Sequence, residues 1–259
     1  MIPLRDENPT RTKPYLTWLL VAINVAVFFM QVSGGTYEGS ADLQGWMAGW
    51  TLVPFEITQG QDIAINGPTL RPFWLTLFTA MFMHGGWLHL GSNMLYLIIF
   101  GNNIEDALGR AKYLAFYLLC GLAASAAQIF WGPTSMIPNL GASGAIAGVL
   151  GAYLVLYPHA RVLSLVPLGF LITTFRVPAY LLLGFWIVSQ FFSQLLGSQA
   201  MEGRGEGGGV AYMAHIGGFL AGMLFIKLFG ADPTPPRPQY HEEEGPYARR
   251  YPGGPGGYR

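Results

Sequence analysis

The sequence predicts an all-α, polytopic membrane protein built as a bundle of six transmembrane helices. Two observations carry this. The 259 residues are 52% apolar and only 11% charged, against roughly 25% charged in a soluble domain. Six apolar stretches, approximately 16–32, 73–100, 113–131, 140–157, 178–196 and 210–229, each approach the ~20 residues a helix needs to cross a ~30 Å hydrocarbon layer. In lipid a spanning helix satisfies its own backbone groups, so an open sheet is not a competitor. Eight of the 28 charges fall in the last 29 residues, which leaves too few elsewhere to solvate a surface. Fourteen acidic and fourteen basic residues cancel, so no global field draws nucleic acid. The single cysteine, Cys120, excludes an intramolecular disulfide.

Taken in order, residues 1–15 read as a cytoplasmic N-terminal segment, 16–230 as one six-helix membrane domain and 231–259 as a disordered cytoplasmic tail. The first stretch follows Arg5, Arg11 and Lys13 and is 17 residues long, longer than the usual ~7–15-residue signal core, so it reads as a retained span. Asn24 within it is expected to bond a neighbouring helix. The outer segment 33–72 keeps Trp46, Trp50, Pro54 and Phe55, which favours a partly embedded loop or short amphipathic helices. The tail holds seven Pro, five Gly and four Tyr with the acidic run Glu242–Glu244, too little apolar surface to fold alone. With the N-terminus inside, the inner segments receive Arg5, Arg11, Lys13, Arg110, Lys112, Arg161, Arg176, Lys227 and Arg237, and the outer ones only Arg71 and Arg204. That asymmetry, with six crossings, predicts both termini on the cytoplasmic side, in a cell (plasma) membrane.

In such a chain the informative residues are polar ones at depth. Acidic residues are missing from every stretch, Glu105 and Asp106 falling at the inner end of the second. Pro133, Pro138 and Gly141 discourage helix before Ser143, and Pro158 stops it after Tyr157. A helix over 143–157 is about 22 Å long, so its start lies about 8 Å below the outer face. His215, five residues into the sixth stretch, reaches a similar depth, and His89 and Asn93 occupy one face early in the second. Ser143, Ala147 and Gly151, and opposite them Ala211, His215, Gly218 and Gly222, form small-residue faces that allow close helix approach.

A serine hydroxyl becomes a nucleophile when a base within ~2.6–3.2 Å takes its proton. His215 is the candidate base and later the acid for the leaving amine. With no carboxylate at depth, a dyad is predicted and a Ser-His-Asp triad excluded. The His89 ring, the Asn93 amide and the Ser143 backbone N–H are the candidate oxyanion donors. His84 reads as a supporting, interfacial histidine.

These residues also carry a likeness. The segments His84-Gly85-Gly86-Trp87-Leu88-His89-Leu90-Gly91-Ser92-Asn93-Met94, Phe100-Gly101, Ile104-Glu105-Asp106, Leu108-Gly109, Gly141-Ala142-Ser143-Gly144-Ala145 and Ala214-His215-Ile216-Gly217-Gly218 resemble, in order and spacing, the rhomboid intramembrane serine proteases over roughly residues 70–228. The resemblance implies Ser143 as nucleophile and His215 as base, an oxyanion hole of His89, Asn93 and Ser143, and support from His84, Gly141 and Gly144. It further implies no metal or other cofactor, transmembrane proteins as substrates, loop 33–72 packed sideways in the bilayer, and gating by the fifth span with the loop Gly203–Gly209. One position departs: some rhomboids carry an aromatic residue four places after the serine that packs on the histidine, and here it is Ala147, which leaves open what orients His215.

Two other functions fit parts of the pattern. A zinc membrane hydrolase would use His84, His89 and His215 as ligands, although the sequence has no HExxH and no intramembrane carboxylate to act as base. A non-catalytic relative would bind transmembrane clients without cutting them, for which a broken dyad is the expected sign. A transporter would need a polar relay across the membrane, whereas the polar residues form one shallow cluster.

Overall fold

The computed structural model describes residues 1–33, 49–63, 69–168, 171–201 and 210–233. Six long helices dominate: α1 (Tyr15–Ser33), α2 (Trp87–Leu108), α3 (Arg110–Trp131), α4 (Ser143–Leu156), α5 (Ala179–Met201) and α6 (Tyr212–Leu228). They match the six apolar stretches with one change. The second stretch is divided: short turns over 73–82 end at Met83, and α2 begins only after His84-Gly85-Gly86, where two successive glycines weaken helix. The tail beyond 233, half of loop 33–72 (residues 34–48 and 64–68) and the loop Gly203–Gly209 lie outside the described residues.

α1, α3 and the Ala179–Leu196 part of α5 are long and apolar enough to cross a membrane, while α4 and α6 are shorter apolar helices. Their outer faces are apolar too: Trp18, Leu19, Phe29, Met30, Phe130, Phe185, Phe191, Phe192, Leu220 and Leu224 are all exposed, a surface suited to lipid rather than water. α1 buries one stripe, Thr17, Leu20, Asn24, Phe28 and Gln31, at helical spacing. Asn24 turns back on its own helix, donating from Nδ2 to the Leu20 carbonyl at 2.7 Å, and makes no bond to a neighbouring helix among those the structure gives.

α4 sits at the centre, buried continuously from Gly144 to Tyr153. It presses against α6 backbone to backbone. A Cβ on Gly218 would overlap the Gly144 carbonyl, and one on Gly222 would overlap the backbone of Gly148, the close approach expected of small-residue faces in lipid. At the C-terminal end of α2 Glu105 accepts from Leu16 N–H (3.0 Å), Thr17 N–H (2.7 Å) and Thr17 Oγ1 (2.8 Å). Asp106 accepts from Thr12 N–H and the Arg11 guanidinium. Glu105 thus closes the opening turn of α1, whose first N–H groups have no partner within the helix, and Asp106 holds the segment just before it.

The chain is mostly helical but not all-α, which corrects the predicted fold class. β1 (Ile2–Asp6), β2 (Arg161–Leu168) and β3 (Leu171–Pro178) form an antiparallel sheet in the order β1-β2-β3. Val162 pairs with Asp6 on one side and Val177 on the other. β2 and β3 pair their backbones as an antiparallel hairpin, with Arg161 and Arg176 near its two chain ends. Val162, Val166, Thr173, Thr174, Phe175 and Val177 supply the β-branched and aromatic types that suit a pleat. Pro3 is tolerated because β1 is an edge strand. Arg176 pairs with Glu7 at 2.7 Å, and the Tyr153 hydroxyl donates to Asp6 at 2.9 Å, which fastens the sheet to the C-terminal end of α4.

At the opposite end the described part of loop 33–72 forms a short helix, Pro54–Gln59, lying over the α3–α4 connection. Leu52 bridges Asn139, and Phe55 N–H donates to the Ser135 carbonyl at 3.0 Å. This connection leads directly into Ser143.

Candidate active site

Ser143 is the first residue of α4 and is partly exposed, while His215 is one turn into α6 and buried. The tight glycine packing of the two helices brings Ser143 Oγ within 2.8 Å of His215 Nε2, a good O–H to nitrogen hydrogen-bond distance. Gly141 precedes the serine at φ +124°, its N–H donating to the Ala80 carbonyl at 2.8 Å. Only glycine adopts that backbone readily, and space demands it as well: a methyl there would sit 2.8 Å from His89 Nε2 and 3.6 Å from Ser143 Oγ. The open point beside Gly141 is thus in reach of both the hydroxyl and the ring.

His89 receives the Gly85 N–H on Nδ1 at 3.3 Å. A nitrogen that accepts holds no hydrogen, so the neutral ring carries its proton on Nε2, facing Gly141. Asn93, one turn further along α2, is buried with Nδ2 unpaired among the described residues. His84 lies edge-on to His89 with ring centroids 5.1 Å apart. Its backbone is clasped by Gln31 of α1, which donates to the His84 carbonyl at 3.0 Å and accepts its N–H at 3.2 Å. Gly144 packs on Ala124 of α3, where a Cβ would come within 2.6 Å.

A cavity of about 40 Å³ opens beside Ser143, lined by Met81, Gly121, Ser125, Gln128 and Gly141 among others. Gln128 Oε1 accepts the Ala214 N–H at 3.2 Å, which ties α3 to α6 next to the histidine. Two neighbours of His215 lie on α5: Gln190 Oε1 is 2.8 Å from its Nδ1, and the Trp186 ring is 5.7 Å from its own at 36°.

The structure therefore gathers Ser143, His215, His89, Asn93, His84, Gly141 and Gly144 at one end of the bundle. Among the described residues no three metal-ligating side chains come together, since His215 is turned to Ser143 and Gln190 rather than to the other two histidines. Sequence reasoning did not single out Gln31, Gln128, Trp186 or Gln190. The three glutamines share a signal that was available: each is an amide within an apolar helix, where a polar group must find a partner.

The Rhomboid domain family model matches residues 71–231. The chain is 32% identical over 158 residues to Rhomboid protein 1, mitochondrial, of Saccharomyces cerevisiae, covering 58% of this chain and 40% of that protein. It is 33% identical over 143 residues to the Rhomboid protease GluP of Bacillus subtilis, covering 55% of this chain and 24% of that one. It is 27% identical over 170 residues to Rhomboid-like protein 11, chloroplastic, of Arabidopsis thaliana, covering 63% and 55%. The chain thus spans between about a quarter and about half of the length of these relatives. With a family match over more than half of its residues and apolar helices that fit a multi-pass membrane protein, the chain belongs to the rhomboid family.

Proposed function

We propose that the chain is an intramembrane serine endopeptidase that hydrolyses peptide bonds of transmembrane protein substrates near the outer membrane face, with Ser143 as nucleophile and His215 as general base. The observation that carries this reading is the 2.8 Å contact between Ser143 Oγ and His215 Nε2. The protease named among the relatives supports it.

The chemistry follows from the contacts. As Ser143 Oγ bonds the substrate carbonyl carbon, its proton passes to His215 Nε2 and the carbonyl π pair moves onto oxygen. That oxygen takes the open point beside Gly141, where His89 Nε2–H, Asn93 Nδ2–H and the Ser143 backbone N–H supply donors. The intermediate collapses, the peptide C–N bond breaks, and the leaving amine takes the proton from His215. Water, giving a proton to the same ring, then cleaves the acyl–Ser143 ester, and the serine regains its hydrogen.

The proposal extends to placement in the membrane. α1–α6 each cross once, both termini face the cytoplasm, and the membrane is the cell membrane, with 16–230 as the membrane domain and 231–259 as its tail. Arg5, Arg161 and Arg176 on the sheet side support this orientation. α4 has 14 residues and is about 21 Å long, so its serine end stays below the surface of a ~30 Å core.

The test is cleavage of a model transmembrane substrate in proteoliposomes. Ser143→Ala and His215→Ala should each abolish it, and undiminished cleavage by either purified variant would defeat the reading.

A further inference from the structure

The imidazole of His215 has two nitrogens, and only Nε2 faces Ser143. Nδ1 lies 2.8 Å from Oε1 of Gln190, both side chains being buried, at 8% and 9% exposure. The other end of the Gln190 amide is also committed. Its Nε2 donates to Ser189 Oγ at 3.1 Å and to the Trp186 carbonyl at 3.3 Å. Turning the amide over would set its oxygen against the Trp186 carbonyl oxygen, two acceptors with no hydrogen between them. Oε1 therefore faces the ring, and an oxygen there can only accept. Nδ1 must carry the hydrogen, which leaves the lone pair on Nε2 for the serine proton.

We propose that Gln190 is a positioning residue, holding His215 in the one tautomer and rotamer in which Nε2 can receive the Ser143 proton. This rests on the reading of Ser143 and His215 as a catalytic dyad. Gln190 thus takes the place a carboxylate holds in a triad, with a neutral amide that avoids the cost of a charge at this depth. Trp186, one turn earlier on α5, covers the ring at 36°, a role Ala147 is too small to play. Both groups belong to α5 while the dyad belongs to α4 and α6, so a displacement of α5 frees the ring to rotate. Among the described residues, the titratable groups near His215 are His89 from α2 and Tyr212 of its own helix. α4 and α5 contribute Ser143, Gln190 and Trp186 there, none of them charged.

The experiment needs no known substrate. The rate of labelling by a fluorophosphonate is measured from pH 5 to 9 on purified full-length protein in detergent, for wild type, Ser143→Ala, Gln190→Met and Gln190→Glu, with thermal melting as the control for folding. Wild type should label and Ser143→Ala should not. Gln190→Met, similar in volume but without the oxygen, should lose roughly 10-fold in rate, the scale of one lost hydrogen bond. Gln190→Glu should recover most of that rate at high pH and move the acid limb of the profile upward, because a carboxylate favours the imidazolium. If Gln190→Met does not fold, the shift of that limb in Gln190→Glu decides alone. Wild-type rates with an unmoved limb would overturn the proposal. So would an equal loss in both variants with the limb unmoved, which is the mark of packing only. Wild-type protein that fails to label at Ser143 would overturn the dyad itself, a result separate from either of these.

Discussion

Replacing Gly218 by alanine tests how closely α4 and α6 must approach. The added Cβ would overlap the Gly144 carbonyl oxygen and carbon, which are backbone atoms of a buried helix and cannot turn aside. The helices must part by about 1 Å or more to restore ordinary contact distances. The Ser143–His215 distance is 2.8 Å, and a pair ~3.6 Å apart is no longer hydrogen-bonded, so that movement takes the hydroxyl out of reach. Overpacking of this kind costs about 1–3 kcal/mol in stability, and a misplacement of ~1 Å costs about 100-fold in rate. The assay is fluorophosphonate labelling of Gly218→Ala and Gly184→Ala beside wild type, with melting temperatures for each. A Cβ on Gly184 meets nothing within 4 Å, so that variant should label normally and gain about 0.5–1 kcal/mol from the better helix former. Wild-type labelling by Gly218→Ala would refute the claim that glycine contact sets the dyad distance.

Asn93→Ala removes a buried donor with no partner among the described residues, so kcat for substrate cleavage should fall about 100-fold with KM and melting temperature little changed. A kcat within a few-fold of wild type would remove Asn93 from the oxyanion hole. In β1, burial raises the Asp6 carboxyl from 3.8 to about 6, against a partly offsetting hydrogen bond from Tyr153. The folded state therefore binds this proton more tightly than the unfolded one. Its contribution to stability is complete below pH 3.8 and is lost as pH rises through about 6, amounting to about 3 kcal/mol. Asp6→Asn should flatten that fall, seen as a difference in melting temperature between variant and wild type that grows from pH 4 to pH 6. A constant difference would contradict it.

Much of the helical arrangement was legible because lipid makes sequence simple: a span must be apolar, about 20 residues long and internally bonded. The start of α4 was legible because Pro138, Gly141 and Pro158 bracket it, and the α4–α6 contact because Gly218 and Gly222 recur at four-residue spacing. Depth placed Ser143 and His215 at one level, and the structure adds the distance between them. Two features were missed for different reasons. The sheet depends on strand β1 finding β2, some 160 positions along the chain, and such a pairing leaves no local periodicity to read. Gln190 was passed over because a single amide among phenylalanines and leucines does not interrupt hydropathy, though its need for a partner is the same rule that drew attention to His215. Ala147 marked the place where a histidine support was absent, but not that α5 would supply one.

The central claim, that Ser143 is the activated nucleophile, is tested most directly by mapping the fluorophosphonate adduct on wild-type protein in membranes by mass spectrometry of its peptides. One modified residue is expected, Ser143, and no modified peptide in His215→Ala. An adduct on another serine, or substrate cleavage that persists while Ser143 stays unmodified and mutable to alanine, would contradict it.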